Sequence, residues 1–330
     1  MASPAERHLK QPILIVGTGA LATLFAARLS AAGHPITMLG SWENGLHALK
    51  ENGARLVDAS GVEKAYPVEA TNDPADCRGA RYALVLVKSW QTERVARQLA
   101  ECLAEDGLAL TLQNGMGNRE ILAEELRLPF DTAQDKPRVA LGVTTTGATL
   151  LGPGLARAGG EGVISVEAHP RLGPLQAALT GAGFNVQVVN DANALIWGKL
   201  VVNAAINPLT ALLRVPNGEL LQRPAAHLLM QVLAQEAAAV ATAQGIHLPF
   251  EDAVRAAEDV ARKTASNHSS MFQDVRRGAP TEIDAICGVI TRTGEKLGVP
   301  TPVNRVCWHL TRASLPAVQR SLSSNIHTPK

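Results

Sequence analysis

Aromatic side chains are scarce in this chain: Phe, Tyr and Trp together make up 3% of its 330 residues. Stacking platforms for single-stranded nucleic acid need more of them. Neither sign of charge dominates, since 31 Lys and Arg face 30 Asp and Glu for a net charge of +1. A general polyanion-binding face does not follow from such a balance, and nucleic acid is not expected as a partner. Cysteine is sparse and scattered. Cys77, Cys102, Cys287 and Cys307 form no CxxC pair and no Cys/His cluster at metal spacing, so reduced, packed thiols are expected and no metal site. No stretch reads as the ~18 apolar residues of a membrane span, and the opening MASPAERHLKQ has no apolar h-region. A cytoplasmic protein without membrane contact is the expectation.

What the chain does hold is apolar residues, 46% of the total against 18% charged, over a length that suits two cores rather than one. Its first half alternates short apolar runs with helical patterns: PILIVG, ALATLFAARLSAAG, PITMLG, YALVLVK, QTERVARQLAECLA, LALTLQNG. That alternation predicts a parallel sheet with crossover helices. From about residue 190 the texture becomes helical throughout, with segments near Ala192–Arg214, Pro224–Gln244, Phe250–Ala265, Pro280–Leu297 and Pro302–Leu322 punctuated by Pro and Gly. The predicted fold class is α/β, an α/β domain over residues 1–190 followed by an all-helical domain over 191–330, with a cleft between them as the default ligand site. The long apolar helices of the second half leave a homodimer and a monomer both open.

Within PILIVGTGALATLFAARL, the turn Gly17-Thr18-Gly19-Ala20-Leu21-Ala22 is a GxGxxA sequence between an apolar strand and an amphipathic helix. Gly17 permits the tight turn, Gly19 lets the backbone approach a pyrophosphate, and Ala22 allows close helix-to-strand packing. Phosphates would rest on the free amides at the helix start. The position after a strand and before a helix is what this motif requires, and it favours a Rossmann-like, dinucleotide-binding first domain over an ordinary βα turn that happens to be glycine-rich. The second strand ends in LGSWENG, where an NAD site wants an acid and an NADP site a cation. Ser41 stands there instead, so NADP is the lean, because nothing repels a 2′-phosphate, and NAD stays open. Lys88 and Asn114 close two further strands, where open α/β sheets bind ligands. Lys88 also suits a solvated strand end, and Asn114-Gly115 is a good turn dipeptide.

In WGKLVVNAAINPLTAL, Lys199, Asn203 and Asn207 recur every four residues on an otherwise apolar helix. They form one line about 12 Å long. A solvated face favours strong helix formers, whereas Asn is a poor one. Pro208 removes a backbone donor, frees the carbonyl of Ala204 and predicts a kink after Asn207. A cation beside carboxamides can polarise an oxygen and grip a carboxylate or hydroxyl. Downstream, NHSSMFQDVRRGAPTEIDAICGVI places Ser269 and Ser270 on a polar loop or helix end, and Glu282 in the first turn of a helix starting near Pro280. Acids there suit the helix dipole, which accounts equally for Glu282 and Asp284.

These segments together resemble the ketopantoate reductase family over nearly the whole chain, through GTGALA, VKSWQT, LQNGMGN, GVTTTGATLLGPG, WGKLVVNAAINPLTAL, PNGEL and SSMFQDVRRGAPTEIDAICG. The resemblance implies a Rossmann-like domain followed by a helical one. The implied reaction reduces 2-dehydropantoate to (R)-pantoate with NADPH, on the route to pantothenate and coenzyme A. It implies Lys199 as proton donor and Asn203 and Asn207 as contacts to the substrate's two ends. Asn217 of PNGEL is implied as a further substrate contact, and Ser270 as holder of its carboxylate. Glu282 would act at the substrate hydroxyl or cofactor region, with Asn114 and Lys88 on the cofactor side. Many members carry Arg where this chain has Gly40-Ser41, which keeps NADH beside NADPH as the donor. A reductase of another 2-oxo acid and a non-catalytic NADP sensor are the rival readings; the sensor reading expects a damaged catalytic set, and here the set is intact.

Overall fold

A computed structural model of the chain describes residues 11–58, 60–127 and 138–315. Contacts divide it into two compact units. The first runs to Val87 and resumes as Gln91–Gln113 and Gly117–Ala192. The second begins at Asn193 and also takes in two short segments from the first half, Lys88–Trp90 and Asn114–Met116.

The first unit contains strands β1 (Ile13–Val16), β2 (Ile36–Leu39), β3 (Ala54–Val57), β4 (Glu63–Tyr66), β5 (Glu69–Thr71), β6 (Ala80–Val85), β7 (Leu103–Thr111), β8 (Val139–Thr144), β9 (Ala148–Gly152), β10 (Leu155–Ala158), β11 (Val163–Glu167) and β12 (Asn185–Val189). Helices α1 (Ala20–Ala31), α2 (Glu43–Asn52), α3 (Thr92–Cys102), α4 (Asn118–Glu125) and α5 (Gly173–Gly181) connect them. Eight strands form one sheet in the order β12-β11-β8-β7-β6-β1-β2-β5. Every pair in it is parallel except β8 with β11. β1 lies inside this sheet as four buried apolar residues, ILIV, the unalternated run that a strand covered on both faces requires.

A second sheet, β4-β3-β10-β9, is one the alternation of apolar runs does not announce. Its strands are short and β4 is EKAY, three of its four residues exposed, so no period-two signal marks it. This sheet explains α1. The sequence reads α1 as amphipathic, yet the helix contacts β1 and β2 as well as β3, β4, β9 and β10. Covered by both sheets, it buries Ala22, Thr23, Leu24, Phe25, Ala26, Ala27 and Leu29, leaving hardly a polar face. Phe25 stacks on Phe184 at 4.3 Å between ring centres.

The second unit is helical: α6 (Asn193–Leu213), α7 (Glu219–Gln222), α8 (Pro224–Ala243), α9 (Ala253–Lys263), α10 (Ser270–Arg276), α11 (Cys287–Leu297) and α12 (Pro302–Ser314). α6 is the hub, packed against α8, α9, α10 and α12. Trp197, Leu200, Val201, Ala204, Ala205 and Leu209 of α6 are all buried in its core. Contrary to the sequence reading, α6 is long and apolar enough to cross a membrane, but 67% of that stretch is buried inside the protein, as in a core helix. Nor does Pro208 break it, since the helix continues to Leu213. Pro208 is buried, and Thr210 donates to the Ile206 carbonyl at 2.9 Å.

Two boundaries differ from the sequence pattern. No helix starts near Pro280: a 3-10 turn spans Ile283–Ala285 and α11 begins at Cys287, after Ile286 adopts φ −109°, ψ −93°. α12 is described to Ser314, and its predicted end at Leu322 lies outside the described residues.

Candidate functional site

The glycine turn is built as its spacing requires. Gly17 has φ +127°, and a Cβ there would lie 3.2 Å from the Leu86 backbone, so only glycine fits. Gly19 caps the start of α1 without a side chain, and a Cβ on it would point into open space, with no heavy atom within 4 Å. The amides of Ala20 and Leu21 follow it into the first turn, while Ala22 is fully buried against the sheet. Open space beside backbone amides at a helix start is what a dinucleotide pyrophosphate requires. A Cβ on Gly40 would come within 2.6 Å of Thr18 Cγ2, so the end of β2 lies directly on this turn. Ser41 is exposed beside it, and Ser41, Trp42, Glu43 and Asn44 include no cation.

In the second unit, residues far apart in the chain converge. Glu282, 5% exposed, immediately precedes the 3-10 turn. Its Oε1 accepts the Ser89 N–H at 3.2 Å, and its Oε2 accepts from Asn114 Nδ2 at 3.4 Å and Lys88 Nζ at 3.5 Å. Lys88 Nζ also donates to Asp274 Oδ2 of α10 at 2.6 Å, and Arg277 Nη2 donates to Asp274 Oδ1 at 2.7 Å. Burial pulls the Lys88 pKa down, but Glu282 and Asp274 outweigh it and hold the ammonium above its ordinary value. Burial is also what holds the Asp274 carboxyl above the usual range, against the pull of Lys88. Gly115, at φ +80°, lets the Asn114 segment approach Ala285, whose carbonyl would sit 2.8 Å from a Cβ there.

Lys199 on α6 differs from Lys88. Burial lowers its pKa to about 8, with Glu282 pulling upward against that shift. An ammonium near the neutral range can hold a proton and give it up. Asn203 and Asn207 continue its line. Asn207 is 6% exposed, and neither of the two carboxamides has a hydrogen-bond partner among the described residues. Buried amides are normally paired, and Asn207 departs from that rule among the described residues, while Asn203 is only partly buried.

The tandem serines divide their work. Ser269 caps α10, accepting from the Phe272 N–H at 3.1 Å, and hydrogen-bonds Thr210 at 2.7 Å, tying α10 to α6. Ser270, the first residue of α10, is left half-buried with no hydrogen bond to the described chain. Asn217 is engaged elsewhere: its Nδ2 donates to Thr264 Oγ1 at 2.9 Å and its N–H donates to the Asn267 carbonyl at 3.0 Å, while its buried Oδ1 has no partner. These bonds brace the segment leading into Ser269.

Sequence reasoning missed Asp274. Its signal was present in SSMFQD, where Asp274 lies four residues after Ser270 and shares its face of the helix. Nothing local shows that its partner is Lys88, 186 positions earlier.

Comparison with known proteins gives a consistent set of relatives. The model for "Ketopantoate reductase PanE/ApbA" matches residues 13–171, and that for the C-terminal part of the same family matches residues 191–314. A 2-dehydropantoate 2-reductase of Archaeoglobus fulgidus is 38% identical, over 92% of this chain and 97% of the relative. One from Halobacterium salinarum is 32% identical, over 91% and 97%. Among solved structures, a PanE/ApbA family ketopantoate reductase from Ralstonia eutropha superposes with TM-score 0.83 at 31% identity, covering 92% of this chain and 98% of that one. A D-mandelate dehydrogenase solved with NADH and anilino(oxo)acetate also reaches TM-score 0.83, at 25% identity, covering 94% and 99%.

Proposed function

Since the chain belongs to the ketopantoate reductase family, we propose that it reduces 2-dehydropantoate to (R)-pantoate, with NADPH as donor and Lys199 as the acid. The observation that carries this reading is the line on α6: an ammonium whose pKa burial lowers to about 8, followed by two carboxamides without partners. A bound nicotinamide supplies the hydride; the chain's own residues supply the proton and the grip. Hydride arrival at the 2-oxo carbon builds negative charge on the ketone oxygen. Lys199 stabilises that charge most in the transition state and passes its proton to the oxygen. Asn203, Asn207 and Ser270 offer donors for the carboxylate and acceptors for the hydroxyl. Glu282, already bonded to Ser89, Asn114 and Lys88, sets the field around Lys199.

The glycine turn is proposed to hold the dinucleotide through Gly17, Thr18, Gly19, Ala20, Leu21 and Ala22, with Ser41 at the ribose and Lys88 and Asn114 on the cofactor side. Loss of NADPH absorbance on adding 2-dehydropantoate tests the whole reading. The likeness to a D-mandelate dehydrogenase makes a panel of 2-oxo acids the right comparison. Preference for 2-oxoisovalerate or an aryl 2-oxo acid over 2-dehydropantoate overturns the substrate. Cofactor binding without turnover of any 2-oxo acid overturns the enzyme.

A further inference from the structure

Asp284 lies two residues beyond Glu282, inside the 3-10 turn, and is 5% exposed. Its Oδ1 accepts from Trp308 Nε1 of α12 at 2.7 Å and lies 3.7 Å from Arg312 Nη1. Its backbone carbonyl accepts from Arg292 Nη2 of α11 at 3.1 Å. Arg292 in turn rests over the Trp308 ring, 5.2 Å from its centre, and His309 stacks on the same ring at 4.9 Å. A Cβ on Gly288 would meet Arg292 Nη1 and Trp308 Cε2 at 3.0 Å each, so the glycine is what admits both side chains.

This cluster is costly. Burial raises the Asp284 pKa, opposed by Trp308, Arg312, Arg292 and His309 in turn, and its buried Oδ2 has no hydrogen-bond partner. A hydrophobic residue would fill the place with less desolvation. What the carboxylate does that a hydrophobe does not is fix direction. The carboxylate takes the Trp308 N–H of α12, the backbone carbonyl beside it takes Arg292 of α11, and the cation–π contact joins those two helices to each other. Glu282 leaves the chain at the start of that turn, where the Ala285 N–H donates to its carbonyl at 3.0 Å.

We propose that Asp284 is a positioning residue, which through Trp308 of α12 and Arg292 of α11 holds the turn that presents Glu282 to the site. The inference rests on the role given above to Glu282. A carboxylate presented to Lys88 from a turn, not from a regular helix, has a backbone with no helical ladder to fix it. The clamp supplies that constraint.

The test is a cycle of Trp308→Phe with Glu282→Gln, read as calorimetric affinity for (R)-pantoate, which stays measurable when turnover is lost. Trp308→Phe keeps the ring and its packing and removes the donor. It is expected to weaken pantoate binding and slow turnover by about tenfold, as losses of supporting contacts around a site do. In the Glu282→Gln background the same change should cost less than about twofold. Asp284→Asn, which keeps an acceptor for Trp308, should recover most of the affinity that Asp284→Ala loses. Equal losses from Trp308→Phe in both backgrounds overturn this inference alone. So does a lowered melting temperature with kcat and KM unchanged. Glu282→Gln with unaltered affinity and turnover overturns the role of Glu282 itself, and this inference with it.

Discussion

Lys199 shows how one residue's surroundings select its chemistry. Lys88 and Lys199 both sense Glu282, yet Lys88 has a second carboxylate, Asp274, at 2.6 Å and its pKa is raised, whereas Lys199 is drawn by burial to about 8. Arginine in its place keeps its proton at any working pH and cannot serve as the acid. Lys199→Ala is therefore expected to lower kcat by roughly 10²–10⁴-fold, the usual range for losing a general acid or an electrostatic stabiliser. Dinucleotide affinity, measured by titration, should hardly change. With Lys199 as the proposed acid the protonated form is the active one, so kcat/KM for reduction should be level at neutral pH and fall as pH rises through about 8. A profile flat to pH 10 removes Lys199 from the role. The same shift has a stability consequence. The native state releases the Lys199 proton near pH 8 and the unfolded state only near 10.5, so between these the unfolded chain binds more protons and this group's contribution rises with pH. Lys199→Met should thus melt higher than the parent at pH 7, with the difference shrinking toward pH 10. Asn203→Ala and Asn207→Ala should each raise KM for the 2-oxo acid, on the order of tenfold for one lost charge-assisted hydrogen bond; unaltered KM in both contradicts the line of grips.

At the scale of elements, α6 is a core helix that also carries the proposed substrate grips. Its buried face packs against α7, α8, α9, α10 and α12, and the polar line runs from partly buried Lys199 and Asn203 into that buried face at Asn207. Pro208 follows Asn207 without ending the helix, which runs on to Leu213. α12 is held by a charge from another helix. Glu236 of α8, 9% exposed, accepts the N–H groups of Val303 at 2.9 Å and Asn304 at 2.8 Å, and Asn304 Nδ2 at 2.8 Å. A carboxylate at a helix N-terminus satisfies free amides and meets the positive end of the dipole. Glu236→Ala should cost about 2–3 kcal/mol by leaving those buried donors unsatisfied. Thermal unfolding would read this as a melting point lower by roughly 5–10 °C. KM should stay near the parent value, since Glu236 is not among the residues around Lys199 and Glu282.

For the whole molecule, the proposed choice of dinucleotide rests on the end of β2. Gly40 packs on Thr18, and the segment from Ser41 to Asn44 holds no cation for a 2′-phosphate and one acid, Glu43. Ser41→Arg is expected to raise the NADPH over NADH preference in kcat/KM by at least tenfold, by adding a charge-assisted bond to that phosphate. An unchanged ratio places the discrimination elsewhere. Much of this was written in the chain itself. GTGALA between an apolar run and a helix specified the turn from β1 into α1, because turn geometry and close packing admit few residues at Gly17 and Ala22. The period of four exposed Lys199, Asn203 and Asn207, because helical geometry is local. What the sequence could not show is whatever depends on partners distant in the chain. The four-stranded sheet is assembled from short polar strands and turns α1 into a helix covered on two sides. Lys88 and Asn114 read as strand ends of the first half, but they belong to the second unit, bonded to Asp274 and Glu282. Their pairing, the shifted proton affinity of Lys199 and the clamp on Glu282 depend on burial and through-space charge, which only the tertiary structure sets.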